Sequence, residues 1–315
     1  MKPPDPAPMN PPLNPPSSSP SPARPSLTTL LKEDLNFLLT NRVPRLALTR
    51  AMGRYARIDS PWLTRLSLAV WRCFTDLDLS EAQAPPDGRW RSVRQVFTRA
   101  LKPGLRPIAA DTAVLCSPCD AIVGACGAVQ GTTAFQAKGY PYSLNELFGP
   151  TQDSTPFHDG EFITLRLTSA MYHRFHAPAD LRLEHVTFHS GDTWNVNPIA
   201  VRRVERLFCR NERAVLRARL APGLGGHPIA LVPVAAILVA SLRLHALDLT
   251  LSQGWGGPTE LPCDAASRKG EELGWFEHGS TILVFVPKGF TRARGIEPGA
   301  RIRMGEPLLR LPART

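Results

Sequence analysis

Four side chains in this sequence could act together as a catalytic group. They are Asp120, His173, His176 and Ser280, the last of which lies in the run FEHGSTILVF at residues 276–285. A hydroxyl, an imidazole and a carboxylate supply a nucleophile, a base and a group that orients the base. Each residue alone is more often structural than catalytic, so only the combination indicates a function.

Other candidate sites carry less weight. CSPCDAIVGAC (116–126) contains a Cys-x-x-Cys, but no second Cys or His pair follows at zinc-finger spacing. His185 and His189 lie in a strand-like segment, where four residues span about 13 Å, so we interpret them as ordinary surface or edge histidines. The sequence has no G-x-S-x-G, P-loop or G-x-G-x-x-G motif, which weakens hydrolase, NTPase and dinucleotide-binding hypotheses. We predict no metal site.

Short strands are predicted to position these residues. Beyond Trp90, EFITLRL (161–167) and AVLRARL (214–220) alternate apolar and polar residues, whereas TILVFV (281–286) is apolar and β-branched. Gly, Pro and Asp separate the runs. The pattern predicts a β-rich core in which Ser280 stands at the start of a buried strand.

The chain begins with a proline-rich segment. Eleven of its 32 prolines fall within residues 1–25, among Ser and Asn. Such a composition cannot bury enough apolar surface to fold. We predict a disordered tail over residues 1–26.

Residues 27–90 are predicted to form short amphipathic helices. One apolar stripe consists of Leu48, Ala51, Met52 and Tyr55, with Arg50, Arg54 and Arg57 on the opposite side. After a Ser60–Pro61 start signal, a second stripe consists of Trp62, Leu66, Ala69, Val70 and Cys73. These helices could pack on a core of their own or lie in a membrane interface with arginines at anionic headgroups.

Composition sets broader limits. The 315 residues are 43% hydrophobic, enough for one large domain or two modest ones. Lys and Arg (37) outnumber Asp and Glu (27), which favours a polyanionic partner such as nucleic acid or an anionic membrane. Six cysteines without a secretory leader indicate reduced thiols in the cytoplasm. The longest apolar stretch, 229–242, contains Pro233 and is too short to span a bilayer.

A set of segments in fixed order carries a family resemblance. They are SPCDAIVGACG (117–127), AKGYPYSLNELFG (137–149), YHRFHAP (172–178), GDTWNVNP (191–198), RNERAVL (210–216) and GWFEHGST (274–281), preceded by VFTRALKPGLRPI (96–108). From about Leu27 to the C-terminus, the chain resembles phosphatidylserine decarboxylases of the bacterial, membrane-associated type. It differs from the usual family pattern at Cys119 and Ala121, beside Asp120, and at His278, where the family commonly has leucine.

The resemblance implies a precursor that cleaves itself between Gly279 and Ser280, with His176 as the base and Asp120 orienting it. The products would be a β chain (1–279) and an α chain (280–315), with Ser280 converted to a pyruvoyl cofactor. The α+β fold would then place a β-rich catalytic domain over 91–315. Decarboxylation of phosphatidylserine would need no other cofactor, with His173, or His176 again, returning a proton.

The same resemblance implies the partners. They are phosphatidylserine, an anionic membrane surface and the two chains with each other; a homodimer of αβ units is compatible with it, and nucleic acid is not expected. The expected location is the cytoplasmic side of the cell membrane, as a peripheral protein. Two alternatives remain: a Ser-His-Asp lipid esterase with Ser280 intact, and a non-processed module that only binds lipid surfaces.

Overall fold

The computed structural model describes residues 34, 44–136, 140–238, 241–277 and 281–313. Short helices precede a core of antiparallel sheets, so the predicted α+β fold with helices in front is confirmed. The predicted tail (1–26) and the His278–Gly279–Ser280 triplet lie outside the described residues. The predicted domain boundaries stay predictions.

The helices form where capping residues and periodic apolar residues coincide. Ser60 Oγ accepts a hydrogen bond from the Leu63 backbone N–H at 3.3 Å, and the helix begins at Pro61, so the predicted start signal is confirmed. The helices described are α1 (Arg45–Ala56), α2 (Pro61–Arg72), α3 (Val93–Phe97), α4 (Leu144–Phe148), α5 (Pro198–Val201) and α6 (Leu207–Arg210), with 3₁₀ turns at Thr155–Phe157 and Pro222–Leu224. None of them is long and apolar enough to cross a membrane.

The strands are short and antiparallel. They are β1 (Val114–Cys116), β2 (Ala121–Ala128), β3 (Thr133–Phe135), β4 (Pro141–Ser143), β5 (Glu161–Arg166), β6 (Arg174–His176), β7 (Leu181–His189), β8 (Arg213–Leu220), β9 (Pro228–Val234), β10 (Ser241–Leu244), β11 (Leu249–Ser252), β12 (Glu260–Ser267), β13 (Glu272–Phe276), β14 (Thr281–Val286), β15 (Thr291–Arg292), β16 (Arg301–Ile302) and β17 (Pro307–Arg310). The three strands predicted from EFITLRL, AVLRARL and TILVFV correspond to β5, β8 and β14 within one residue at each end.

An eight-stranded sheet forms the main core. Its strand order is β12-β7-β8-β9-β14-β5-β2-β16, which places β14 between β9 and β5. All six residues of β14 are buried, because both faces of this central strand are covered. The uniform apolar run 281–286 therefore belongs to the most enclosed part of the sheet.

A second, four-stranded sheet carries the predicted histidines. Its order is β11-β10-β13-β6, and its register sets Glu272 on β13 opposite His176 on β6. The chain leaves this sheet at the end of β13 and enters the eight-stranded sheet at Thr281. The triplet 278–280 thus links the two sheets in sequence.

The C-terminal strands are shared among the sheets. β16 pairs with β2 in the eight-stranded sheet, and β17 pairs with β1 and β15 in a three-stranded one. The remaining pair, β3 and β4, forms a small separate sheet. Among the described strands after the triplet, β14, β16 and β17 each pair with a strand before it. The remaining one, β15, pairs with β17.

Candidate active site

Both residues that flank the triplet are buried. Glu277 precedes it with 5% of its surface exposed, and Thr281 follows it with 1% exposed. Thr281 belongs to β14, and the Glu277 backbone N–H donates to the Ser241 carbonyl at 3.1 Å at the edge of the four-stranded sheet. The two ends of the triplet are therefore fixed by different sheets.

Two arginines from the helical region hold Glu277. Arg57 Nη2, just after α1, donates to Glu277 Oε2 at 3.1 Å, and Arg94 Nε on α3 lies 2.6 Å from Oε1. Charged side chains are seldom buried unless they are paired in this way. The ion pairs join the N-terminal helices to the residue immediately before the triplet. Arg57 therefore contacts the catalytic region, although about half of its side chain is exposed.

Asp120 is held by an arginine and a backbone amide. Arg106 donates to its carboxylate through Nε at 2.9 Å and through Nη2 at 2.6 Å, and the Met304 N–H donates to Oδ1 at 2.9 Å. Glu81 accepts a further bond from Arg106 at 2.6 Å. The hydrogen bond to Asp120 is the main cause that raises the pKa of Arg106, so this cation stays charged.

His176 is buried and is fixed through both ring nitrogens. Nδ1 lies 2.9 Å from the Gly270 carbonyl, and Nε2 lies 2.9 Å from the Tyr172 hydroxyl. Because a carbonyl only accepts, Nδ1 carries the proton and Nε2 has the free lone pair that the Tyr172 hydroxyl meets. Burial lowers the pKa of His176, which favours the neutral imidazole that a general base requires.

His173 lies closer to the triplet along the sheet. It is fully buried, its ring meets Phe97 of α3 edge-on at 5.6 Å between centroids, and its carbonyl accepts from the Phe276 N–H at 3.0 Å. Phe276 comes two residues before His278. On this ladder His176 stands opposite Glu272, further from the triplet than His173.

The predicted triad is only partly assembled in the described residues. The hydrogen bonds of Asp120 go to Arg106 and Met304, and those of the His176 ring go to Tyr172 and Gly270. Asp120 and Tyr172 line the same polar cavity of about 370 Å³. The roles predicted for Asp120, His173, His176 and Ser280 stay predictions.

Arg106 and Tyr172 are the site residues that the sequence did not single out. Both occur in segments that carry the family resemblance, but nothing in their spacing marks them as partners of Asp120 and His176. Arg106 lies in an irregular segment, so no periodicity assigns its side chain a direction. Only the fold brings its guanidinium to Asp120.

Two largely apolar cavities share Arg166, the residue opposite Thr281, as a lining residue. One, of about 660 Å³, is bordered by Thr281, much of β2 and one face of β5. The other, of about 730 Å³, lies against the end of α2 and is lined by Val70, Trp71 and Phe74. Arg166 and Val196 line both cavities.

The remaining candidate metal ligands, His185 and His189, make hydrogen bonds within the protein. His185 Nε2 pairs with Glu260, and His189 Nε2 donates to the Phe148 carbonyl at 2.7 Å. Both lie on β7, as the strand interpretation of this segment requires. Across the described ranges, no three His, Cys, Asp or Glu side chains are grouped as metal ligands.

Comparison with known proteins gives the family. A family model for phosphatidylserine decarboxylase matches residues 93–310. Similar proteins named phosphatidylserine decarboxylase proenzyme occur in Halorhodospira halophila, 40% identical over 89% of this chain and 94% of the relative, and in Shewanella frigidimarina, 34% identical over 89% and 99%. A third, from another Shewanella species, is 36% identical over 87% of this chain and 96% of the relative. The chain belongs to the phosphatidylserine decarboxylase family.

Proposed function

We propose that this chain is a precursor that cleaves itself between Gly279 and Ser280 and then decarboxylates phosphatidylserine to phosphatidylethanolamine and CO2. The observation that carries the proposal is the anchoring of both ends of the triplet. Glu277 is held by Arg57 and Arg94, and Thr281 begins the central buried strand β14. Reacting groups that are positioned before a reaction avoid part of its entropic cost.

The cleavage step follows from the chemistry of the triplet. The Ser280 hydroxyl attacks the Gly279 carbonyl, and the peptide C–N bond is exchanged for a C–O ester. Elimination then breaks the ester C–O bond, leaving a carboxylate on Gly279 and dehydroalanine at position 280, and hydrolysis of dehydroalanine releases ammonia and leaves a pyruvoyl group. Gly279 has no side chain to hinder the attack on its carbonyl.

The residues around the triplet fit a small carbonyl group. The Thr281 hydroxyl is buried and has no hydrogen-bond partner within the described ranges, so it is available to a neighbouring polar group. The pyruvoyl group supplies a carbonyl that takes up the electrons left when CO2 departs.

His176 is the proposed base for cleavage. Its lowered pKa keeps it neutral near pH 7, and its Nδ1–H bond to Gly270 directs the basic Nε2 towards Tyr172. Tyr172 also shares the polar cavity with Asp120. We assign Tyr172 as the group through which Asp120 and Arg106 influence His176. His173 is the proposed donor that returns a proton to the substrate after decarboxylation.

The two products should stay together after cleavage. The α chain (280–315) would contribute β14, which pairs with β9 and β5 of the β chain over almost its whole length. Its later strands β16 and β17 pair with β2 and β1. Separation would expose the core of the eight-stranded sheet, so cleavage should not dissociate the protein.

The substrate is a diacyl lipid, and the helical region offers a surface for it. The second predicted stripe faces solvent on α2: Trp62 is 73% exposed, Leu66 49% and Val70 54%, and Phe74 beyond the helix is 82% exposed. Arg65 and Arg72 are exposed on the same helix. We propose that this surface, the α2 face, enters the headgroup region on the cytoplasmic side of the cell membrane.

Intact-mass analysis of protein purified from cells tests the proposal. The wild-type chain should give fragments of 279 and 36 residues, the smaller with a pyruvoyl N-terminus, and both should co-elute under native conditions. Ser280→Ala should remain one chain. A wild-type protein that stays entirely full-length would contradict the proposal, and hydrolysis of lipid esters by that intact chain would identify an esterase instead.

A further inference from the structure

The cavity beside Thr281 has the form of a binding site. It encloses about 660 Å³, and β5 contributes Phe162, Thr164 and Arg166 to its wall. Alternate residues of a strand share one face, so these three side chains enter the cavity together. Mostly apolar walls with a few convergent polar groups are typical of small-molecule sites.

Three polar groups in this wall have no protein partner in the described part of the chain. Thr164 Oγ1 and Thr281 Oγ1 are buried hydroxyls without a hydrogen bond there. The Arg166 guanidinium makes no hydrogen bond or ion pair with a described residue, and burial lowers its pKa. Buried polar groups in native proteins are normally paired, so two unpaired buried hydroxyls beside a half-buried guanidinium in one wall indicate a ligand.

Arg166 stands next to the proposed reaction centre. The register of β5 and β14 sets Arg166 directly opposite Thr281, the residue that follows Ser280. Directly opposed residues in an antiparallel pair have Cβ atoms about 5 Å apart. A cation is therefore held within one side-chain length of the start of the proposed α chain.

The substrate offers two anionic groups to such a cation, a carboxylate and a phosphodiester. An arginine bound to the carboxylate would stabilise the charged substrate more than the transition state, in which that charge is being lost with CO2. The phosphodiester keeps its charge throughout the reaction. Arginine also suits phosphate through paired N–H donors.

We propose that Arg166, with the hydroxyl of Thr164, binds the phosphodiester of the lipid substrate. The inference rests on the proposed function for the identity of the lipid. Arg166 also lines the cavity of about 730 Å³ that reaches Val70 and Phe74 of the α2 face. A lipid whose phosphate meets Arg166 can therefore extend its acyl chains along apolar walls towards the proposed membrane surface.

Lipid binding without turnover gives the first test. Calorimetric titrations would use dihexanoyl phosphatidylserine and dihexanoyl phosphatidylethanolamine below their micellar concentrations, against the purified Ser280→Ala chain, which cannot form the pyruvoyl group. Phosphatidylethanolamine keeps the phosphodiester but lacks the carboxylate. Arg166→Met should weaken binding of both lipids by roughly 10- to 100-fold, the loss expected for a hydrogen bond to a charged group. Arg166→Lys should recover part of that loss.

The control is Arg219→Met, which removes the same charge from an exposed arginine on β8 that pairs with Glu184. It should leave both affinities unchanged. Unchanged binding in Arg166→Met, or no binding to any form, would overturn the site. Weakened binding of phosphatidylserine alone would show that Arg166 meets the carboxylate and would overturn the phosphodiester assignment.

Turnover separates this inference from the proposed function. Arg166→Met should still be cleaved and should show a raised KM for phosphatidylserine with kcat less affected, because the contact is the same in the ground and transition states. A kcat loss at unchanged KM would contradict the inference. If the wild-type chain binds both lipids but never processes, the site stands and the proposed function fails.

Discussion

Glu277 accepts a hydrogen bond from Arg57 at 3.1 Å, and this contact joins the end of the first described helix to the residue immediately before the triplet 278–280. The sequence pattern groups Arg57 with Arg50 and Arg54 as one basic surface. The structure separates them. Arg57 is exposed like the other two arginines, but it pairs, together with Arg94, with the buried Glu277 carboxylate.

Arg57→Gln should therefore slow self-cleavage. Without the Arg57 guanidinium, Glu277 pairs with Arg94 alone. The free energy that anchors the residue before the triplet should fall by about 1–3 kcal/mol. Pulse-labelled protein followed by gel electrophoresis would measure the cleavage rate. Arg54→Gln removes the same charge from an exposed site one turn earlier and should cleave at the wild-type rate. Equal rates for both variants would show that the Glu277 contact has no part in processing.

Tyr172→Phe should impair cleavage without unfolding the protein. The substitution removes the hydroxyl that meets His176 Nε2 at 2.9 Å but keeps the ring stacked on the imidazole at 5.7 Å between centroids. We expect a loss of the order of 10- to 1,000-fold in cleavage rate, within the range of a positioned proton-transfer group. Intact mass against time measures it.

Asp120→Asn and His176→Ala complete this comparison. Both should slow or abolish cleavage, and circular dichroism should show a retained fold. Normal cleavage in both variants would assign the base elsewhere. If Tyr172→Phe cleaves normally while the other two do not, His176 acts on Ser280 without Tyr172.

The strands could be predicted because the residues that define each strand are contiguous in the sequence. TILVFV is apolar at every position after Thr281, and a strand buried on both faces favours that composition. Its neighbours β9 and β5 are distant in sequence, and no local pattern selects them. The same limit applies to Arg106, whose pairing with Asp120 depends on a loop that has no periodicity.

The helical stripes illustrate a different limit. Periodicity predicted one apolar side on α2 and correctly grouped Trp62, Leu66 and Val70. An amphipathic pattern does not say whether its apolar side meets the protein core or another apolar phase. On α1, Met52 and Tyr55 pack against Ala56 and the α3 residues, whereas the α2 stripe stays exposed.

The α2 face should bind vesicles through its aromatic side chains. Replacing Trp62 and Phe74 by Ala removes two exposed rings, which are 73% and 82% accessible. Since burying a large apolar side chain contributes about 1.5–3 kcal/mol, co-sedimentation with anionic vesicles should weaken at least 10-fold. Detergent-dispersed phosphatidylserine should still be decarboxylated. Unchanged sedimentation would place the membrane contact elsewhere.

The contribution of the exposed arginines on α1 to membrane binding can be tested separately. The double variant Arg50→Gln/Arg54→Gln keeps the ion pair between Arg57 and Glu277. The anchoring of the triplet should therefore stay intact. Each arginine near an anionic surface contributes about 1 kcal/mol, so binding should weaken roughly 10-fold at low salt and converge with wild type as salt screens the charges. A loss that is independent of salt would contradict an electrostatic role.

Glu212 should make the stability of the precursor fall as pH rises. Burial raises its pKa to about 7, well above that of an ordinary glutamate, so the folded state retains a proton that the unfolded state loses. The free energy of unfolding should therefore decrease between pH 4.5 and 7, by about 3 kcal/mol, and level off above. Glu212→Gln should remove this decrease. Urea unfolding of Ser280→Ala chains at a series of pH values measures it, with exposed Glu184→Gln as the control, and a parallel pH dependence in Glu212→Gln and its parent would show that another group carries the proton.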